Sequence, residues 1–282
     1  MKTNLFKLLT VLLLLTVFSA CEDHNLPSDV IEQKGLLLSP EQEFPVKQSE
    51  AYGWADVSYN KTTKLLSYTI KWYNLSGLPT GAHMHGTALR GANASIKHDF
   101  FASIPKTTTG TYSGSVLVDG IAINETDLLN GLYYFNFHTA LNPGGEIRGQ
   151  IEFYNQPHII SKKGLSIDVM QEVPAKNTLA MGTADVSYNK NTKVLSYYLT
   201  WKNLTSIPTG AHIHGTAARG VNAPIKHDFF DLIPKKLAGA YSGSVLVDGT
   251  AINETDLLNG RYYFNIHNII YPGGEIRGQI EF

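Results

Sequence analysis

A single cysteine, Cys21, stands among 282 residues, so neither an internal disulfide nor a thiolate zinc cluster can form within the chain. Charge is scarce and balanced, with 23 Lys+Arg against 24 Asp+Glu and a net charge of −1. Without a basic excess the chain lacks the phosphate-neutralising footprint that nucleic-acid binding needs, and no nucleic-acid partner is expected. Long stretches of helical periodicity are lacking, as is an apolar run long enough for a comfortable membrane-spanning helix. What the chain does have is 25 Gly, 15 Tyr and 43% hydrophobic residues. With many Val, Ile and Thr, this composition suits strands joined by tight turns and supplies enough apolar surface for cores.

Lys2 and Lys7 precede an apolar run from Leu8 to Phe18, broken only by Thr10 and Thr16, and Ser19-Ala20 lead into Cys21. The pattern is that of a secretory signal over residues 1–20. It resembles a bacterial lipoprotein signal, in which the cysteine matching Cys21 is lipidated and becomes the first residue of the mature protein. A plain signal with an incidental cysteine is the alternative. Removing residues 1–20 takes Lys2 and Lys7 and leaves 21 basic groups against 24 acidic ones, so membrane attachment is expected through lipid on Cys21. Residues 21–34 are expected to be a flexible tether. Glu22 and Asp23 resemble the surface-export signals of some Gram-negative lipoproteins, which implies an outer-membrane lipoprotein of the cell envelope, exposed at the surface.

The dominant feature is internal repetition. Gly53–Lys61, GWADVSYNK, returns as Gly182–Lys190, GTADVSYNK, at an offset of 129 residues. The same offset carries Trp72 to Trp201, His83 to His212, His138 to His267 and Phe153 to Phe282, with about three quarters of positions identical. A period this long means two complete domains, since solenoid units are too small to bury a core alone. Domains are expected at 35–154 and 163–282, joined by a linker at 155–162. Short β-rich runs at 53–59, 64–74, 81–86, 111–118, 133–139 and 146–153 predict an all-β sandwich or barrel in each copy. One short helix is expected over Asn124–Gly131, from its Asn cap, acidic first turn and terminal Gly.

Eight of the ten histidines form matched quartets: His83, His85, His98 and His138, then His212, His214, His227 and His267. In GAHMHG both imidazoles share one strand face while Met84, replaced by Ile213 in the second copy, takes the core face. The same parity places Phe135 and Phe137 inward and Asn136 and His138 outward. Imidazoles two apart, with a third from a distant strand, can hold one copper or zinc ion per domain. They can equally hydrogen-bond loop carbonyls and pack turns, and spacing alone leaves both readings open. Glu146 and Arg148, with Glu275 and Arg277, share a strand face two apart and are a candidate polar patch beside the histidines. Trp72 and Trp201 are expected in the core.

The motifs GAHMHGTALRGAN and FNFHTALNPGGEIRGQIEF, repeated as GAHIHGTAARGVN and FNIHNIIYPGGEIRGQIEF, resemble the chordin-type domain, CHRD, over both copies. The resemblance implies two tandem immunoglobulin-like, superoxide dismutase-like Greek-key β-sandwiches. The family occurs in chordin, an antagonist of bone morphogenetic proteins, and in many bacterial secreted proteins, mostly without an assigned activity; the anchor and the duplication lead to the expectation of a binding or scaffold module for an extracellular protein or matrix ligand. A fainter similarity to copper-zinc superoxide dismutases would match His83 and His85 to two copper ligands, His138 to a further one and His98 to the metal-bridging one. Between His98 and His138, however, there is no further histidine for a zinc loop, and the structural disulfide is absent. No complete catalytic set stands out, and the expectation leans away from an enzyme. The competing expectations are a two-copy binding module on a lipid tether and a mononuclear copper or zinc protein with a redox or storage role.

Overall fold

Alternation of buried and exposed residues marks the strands of the outer sheet, as in Tyr52–Asn60 and Leu65–Tyr73, whereas Tyr133–Thr139 and Ile147–Ile151 are buried almost throughout. A computed structural model describes residues 29–282, so the expected signal peptide and the lipidation at Cys21 lie outside the described residues. In the first copy the strands are β1 (Val30–Leu38), β2 (Tyr52–Asn60), β3 (Leu65–Tyr73) and β4 (Pro79–Gly86). They continue as β5 (Ile96–Asp99), β6 (Gly110–Leu117), β7 (Tyr133–Thr139) and β8 (Ile147–Ile151). One four-stranded sheet runs β1-β2-β3-β6 and the other β5-β4-β7-β8, packed face to face as a sandwich.

The second copy repeats the order with β9 (Ile159–Asp168), β10 (Met181–Asn189), β11 (Val194–Lys202) and β12 (Pro208–Gly215). It ends with β13 (Ile225–Asp228), β14 (Gly239–Leu246), β15 (Tyr262–Asn268) and β16 (Ile276–Gln279). Here the two sheets join into one of eight strands, because β16 pairs with β9 at Arg277 and Asp168. The first copy makes the same closure as an isolated bridge between Ser39 and Arg148. Each domain is therefore a sandwich sealed along one side.

The first strand of each copy is the main addition to the expected elements. β1 reaches back into the segment expected as a tether, and β9 takes up the second half of the one expected as a linker. Both bend at a glycine in the left-handed region, Gly35 or Gly164, whose N–H is held by Asp56 or Asp185 at 2.8 Å. That bend shifts the register against the next strand and lets one strand serve both sheets. The expected helix forms as α1 (Glu125–Leu129), where Asn124 Oδ1 accepts from the amides of Thr126 and Asp127, and again as α2 (Glu254–Leu258).

Trp72 is fully buried and Trp201 nearly so. Trp72 packs 4.9 Å from Phe137 between ring centroids, and its indole N–H donates to Thr107 O. Truncating a side chain of that size in a closed core costs about 3–5 kcal/mol. Among the described residues no helix is long and apolar enough to cross a membrane.

Candidate metal centre

Register decides which histidines meet. β4 and β7 run antiparallel with Gly81 opposite His138, His83 opposite Asn136 and His85 opposite Tyr134. Directly opposed residues share a face, so His83, His85 and His138 lie together on the side away from the core. Ala82, Met84, Phe135 and Phe137 fill the inner side, all of them fully buried.

Gly81 brings the rings into contact. A Cβ at this position would stand 2.8 Å from His83 Cε1 and 3.2 Å from His138 Cδ2, so a bare α-carbon is what lets the two imidazoles close over the strand. Gly210 does the same beneath His212 and His267. One ring nitrogen from each of His83, His85 and His138 falls within 4.8 Å of the others, and His212, His214 and His267 repeat the cluster.

The second nitrogen of two of the rings is hydrogen-bonded to a backbone carbonyl. His85 Nδ1 lies 2.9 Å from Ala94 O, and His138 Nδ1 lies 3.0 Å from Pro143 O. A carbonyl only accepts, so both Nδ1 atoms carry the proton and both Nε2 atoms present a lone pair. His83 turns Nε2 toward Asp99 Oδ1 at 3.8 Å. The nitrogens left over, His83 Nδ1, His85 Nε2 and His138 Nε2, are buried and have no hydrogen-bond partner. In the second copy His214 Nε2 and His267 Nε2 stand 3.4 Å apart, with their Nδ1 atoms bonded to Ala223 O and Pro272 O. Two lone pairs face each other there, and no proton is available to bridge them.

Burial pushes the pKa of His138 down to about 4, only partly offset by its bond to Pro143 O, and His83 and His85 push it further the same way. His267 is driven to about 4 by the same leading cause. Burial also lowers His83, His85, His212 and His214. All six imidazoles are neutral donors at pH 7.

Not every expected residue joins the cluster. His98 pairs with Met84 and so faces inward, where its Nε2 meets the Tyr68 hydroxyl at 3.0 Å. His227 is likewise opposite Ile213 and rests against Phe229. Asp99, one residue on, sits opposite His83 on the histidine face, and Asp228 sits opposite His212. The signal that could have found it is parity within β5, once β5 is known to pair with β4.

Glu146 and Arg148 are both buried and serve different networks. The Glu146 carboxylate accepts from Ser49 and Thr139 hydroxyls and from the Ser76 amide and hydroxyl, at 2.5 to 2.9 Å. Glu275 repeats this with Thr178, Thr205 and Asn268, so the exchange of Thr139 for Asn268 keeps a donor in place. The Arg148 guanidinium lies 3.5 Å over the Tyr134 ring, and Tyr134 stacks in turn on His85. Arg277 and Tyr263 back His214 in the same way. The arginines thus reach the histidines through a tyrosine and the glutamates anchor the loops around them.

A family model described as CHRD domain matches residues 35–151 and again residues 166–280. No curated protein and no solved structure matches the chain.

Proposed function

The chain belongs to the CHRD family through both of its repeated halves, and from that premise we propose that each half is a binding domain whose ligand is one divalent transition-metal ion. The observation that carries this reading is the convergence of three histidines in each half, with a buried, partnerless nitrogen on all three in the first half. Zinc–imidazole bonds are about 2.0–2.1 Å long, so two ligands at a tetrahedral angle stand roughly 3.3–3.4 Å apart. The His214 to His267 nitrogen separation of 3.4 Å fits that value.

Three imidazoles without a thiolate suit zinc or copper(II). His83, His85 and His138 would hold the ion in the first domain, and His212, His214 and His267 in the second. Because the donors are neutral, binding displaces no proton from them at pH 7. Carbonyl partners on the far nitrogens orient His85, His138, His214 and His267, as outer-shell groups do at histidine metal sites. A bound ion would supply Lewis acidity or, for copper, a redox couple. The groups packed around the triad, Asn136, Arg148 and Tyr134, are engaged in structural contacts. That supports holding the metal rather than turning over a substrate.

The setting we propose is the cell envelope, with the two domains displayed on a tether lipidated at Cys21. Cys21→Ser should release the chain from membranes and abolish incorporation of a labelled fatty acid; unchanged labelling would remove this part of the reading. The metal is tested on residues 29–282, purified without a histidine tag and analysed for elements after zinc or copper titration. About two ions per chain are expected, falling to one in His83→Ala/His85→Ala and to none when His212→Ala/His214→Ala is added. Wild-type protein that takes up no ion, or variants that keep both, would overturn it.

A further inference from the structure

The two domains meet through unlike faces. From the first domain come Gln42, Arg90 and Glu152, and from the second the outer side of β11 and β14. Arg90 Nη1 donates to Ser242 Oγ at 2.6 Å, and Ser244 Oγ donates back to Arg90 O at 2.9 Å. Asn189 Nδ2 donates to Asn130 Oδ1 at 3.1 Å. Between the faces lies a cleft of about 160 Å³.

Because the chain is a duplication, each face exists twice, and only one of each pair is used. The cleft's second-domain wall, with Asp185, Ser187, Ser196 and Tyr198, recurs on the first domain as an open groove of about 240 Å³ at Asp56, Ser58, Ser67 and Thr69. Its first-domain wall, with Gln42, Arg90 and Gln150, recurs on the second domain as a groove of about 180 Å³ at Gln171, Arg219 and Gln279. Side-chain exposure records the difference. Arg90 and Glu152 are each 11% exposed, whereas Arg219 and Glu281 stand at 55% and 45%. Ser242 is buried under the first domain and its counterpart Ser113 is exposed.

We propose that a second copy of this chain docks there, the Gln171–Arg219–Glu281 face of one chain seating on the Ser67–Thr69–Ser113 face of the next. The chemistry of the internal contact is retained. Arg219 is held by Glu281 and Gln171 as Arg90 is by Glu152 and Gln42. Ser113 and Ser115 replace Ser242 and Ser244 as its hydroxyl partners, and Asn60 and Asn259 replace Asn189 and Asn130. Glu32, lining the open groove where the second domain has Ser161, adds a carboxylate on the receiving side. Thr69 in place of Tyr198 removes a ring, so the contact between chains is shallower than the one within.

A contact between unlike faces is heterologous, so chains add head to tail, either closing into a ring or extending as an open chain. Within one chain the linker supplies an effective concentration in the millimolar range; between chains no linker does. Association is therefore expected at high micromolar to about millimolar protein. The test is sedimentation equilibrium on residues 29–282, which hold both cores whole. Average mass should rise with concentration, continuing to climb for an open chain and levelling off for a closed ring. Arg219→Glu spoils one face and Ser113→Arg the other, both at exposed positions, and each variant alone should stay monomeric. Mixed in equal amounts they should form dimers and nothing larger, since one intact face of each kind remains. A wild-type chain that stays monomeric to about 1 mM, variants that associate as well as wild type, or a mixture that does not dimerise would each overturn the proposal.

Discussion

Asp99 Oδ1 lies 3.8 Å from His83 Nε2 in the first domain, and Asp228 Oδ1 lies 3.7 Å from His212 Nε2 in the second. Each aspartate faces the nitrogen opposite the partnerless one at just over hydrogen-bond distance, and its expected role is to draw in and orient the ring once a metal is bound. Asp99→Asn together with Asp228→Asn should leave two metal ions per chain but weaken their affinity about 10–100-fold, the usual loss when an outer-shell partner is removed. Competition with a chelator of known affinity measures this. Because both side chains are more than 60% exposed, the melting temperature of metal-free protein should not move. An unchanged affinity would mean that the carboxylates do not orient the rings.

Gly81 and Gly210 lie beneath the clusters without contributing a donor. Neither glycine has a positive φ, so alanine is compatible with the backbone, yet its methyl group would enter the space of His83 and His138 or of His212 and His267. Gly81→Ala should displace the imidazoles of the first site alone and lower stoichiometry toward one ion per chain. Circular dichroism should remain that of an intact β-protein. Two ions at wild-type affinity would show that the triad tolerates wider spacing than its packing indicates.

The sequence makes the outward face of His83, His85 and His138 legible, because strand parity needs only local alternation. Convergence of those residues was not legible, since it depends on β4 pairing with β7 in one particular register. The same dependence explains His98: its place in the chain suggests a ligand, but pairing with Met84 turns it inward. β1 and β9 are not legible in the sequence because each is broken by a glycine bend and carries polar residues on its outer side, so neither shows a clean alternating pattern. Trp72 and Trp201 were readable as core, and the Asn124 cap as a helix start, because both rest on local chemistry.

Glu43 is buried beside Asn136 and Gly145, and burial pushes its pKa up to about 8 despite the opposing charge of Arg148. Glu172 is raised by burial to about 7. From the ordinary value of 4.5 up to these values, the folded chain keeps protons that the unfolded chain has released. Stability from this source is complete below pH 4.5 and falls as pH rises toward 7 and 8, by at most about 1.4 kcal/mol per pH unit per group. The buried histidines act in the opposite sense, so the difference between proteins isolates the glutamates. Urea midpoints of Glu43→Gln/Glu172→Gln, compared with wild type from pH 5 to about 8.5, should show a growing advantage for the variant. A constant difference across the range would show that both carboxyl groups titrate normally.

Arg90 and Arg219 occupy equivalent positions and make equivalent bidentate pairs with Glu152 and Glu281. Their surroundings differ: the first pair is enclosed between the domains, and the second is about half exposed. Removing one partner of an enclosed pair strands the other charge and costs about 3–5 kcal/mol, whereas an exposed pair is worth about 0–1 kcal/mol. Arg90→Ala should therefore lower the urea midpoint far more than Arg219→Ala, although the two substitutions are chemically identical. Arg90 also ties the first domain to Ser242 and Ser244. Its loss should consequently split one unfolding transition into two as the domains uncouple. Equal effects from the two substitutions would mean that the domains do not rest on each other in solution, and would remove the template on which head-to-tail docking is built.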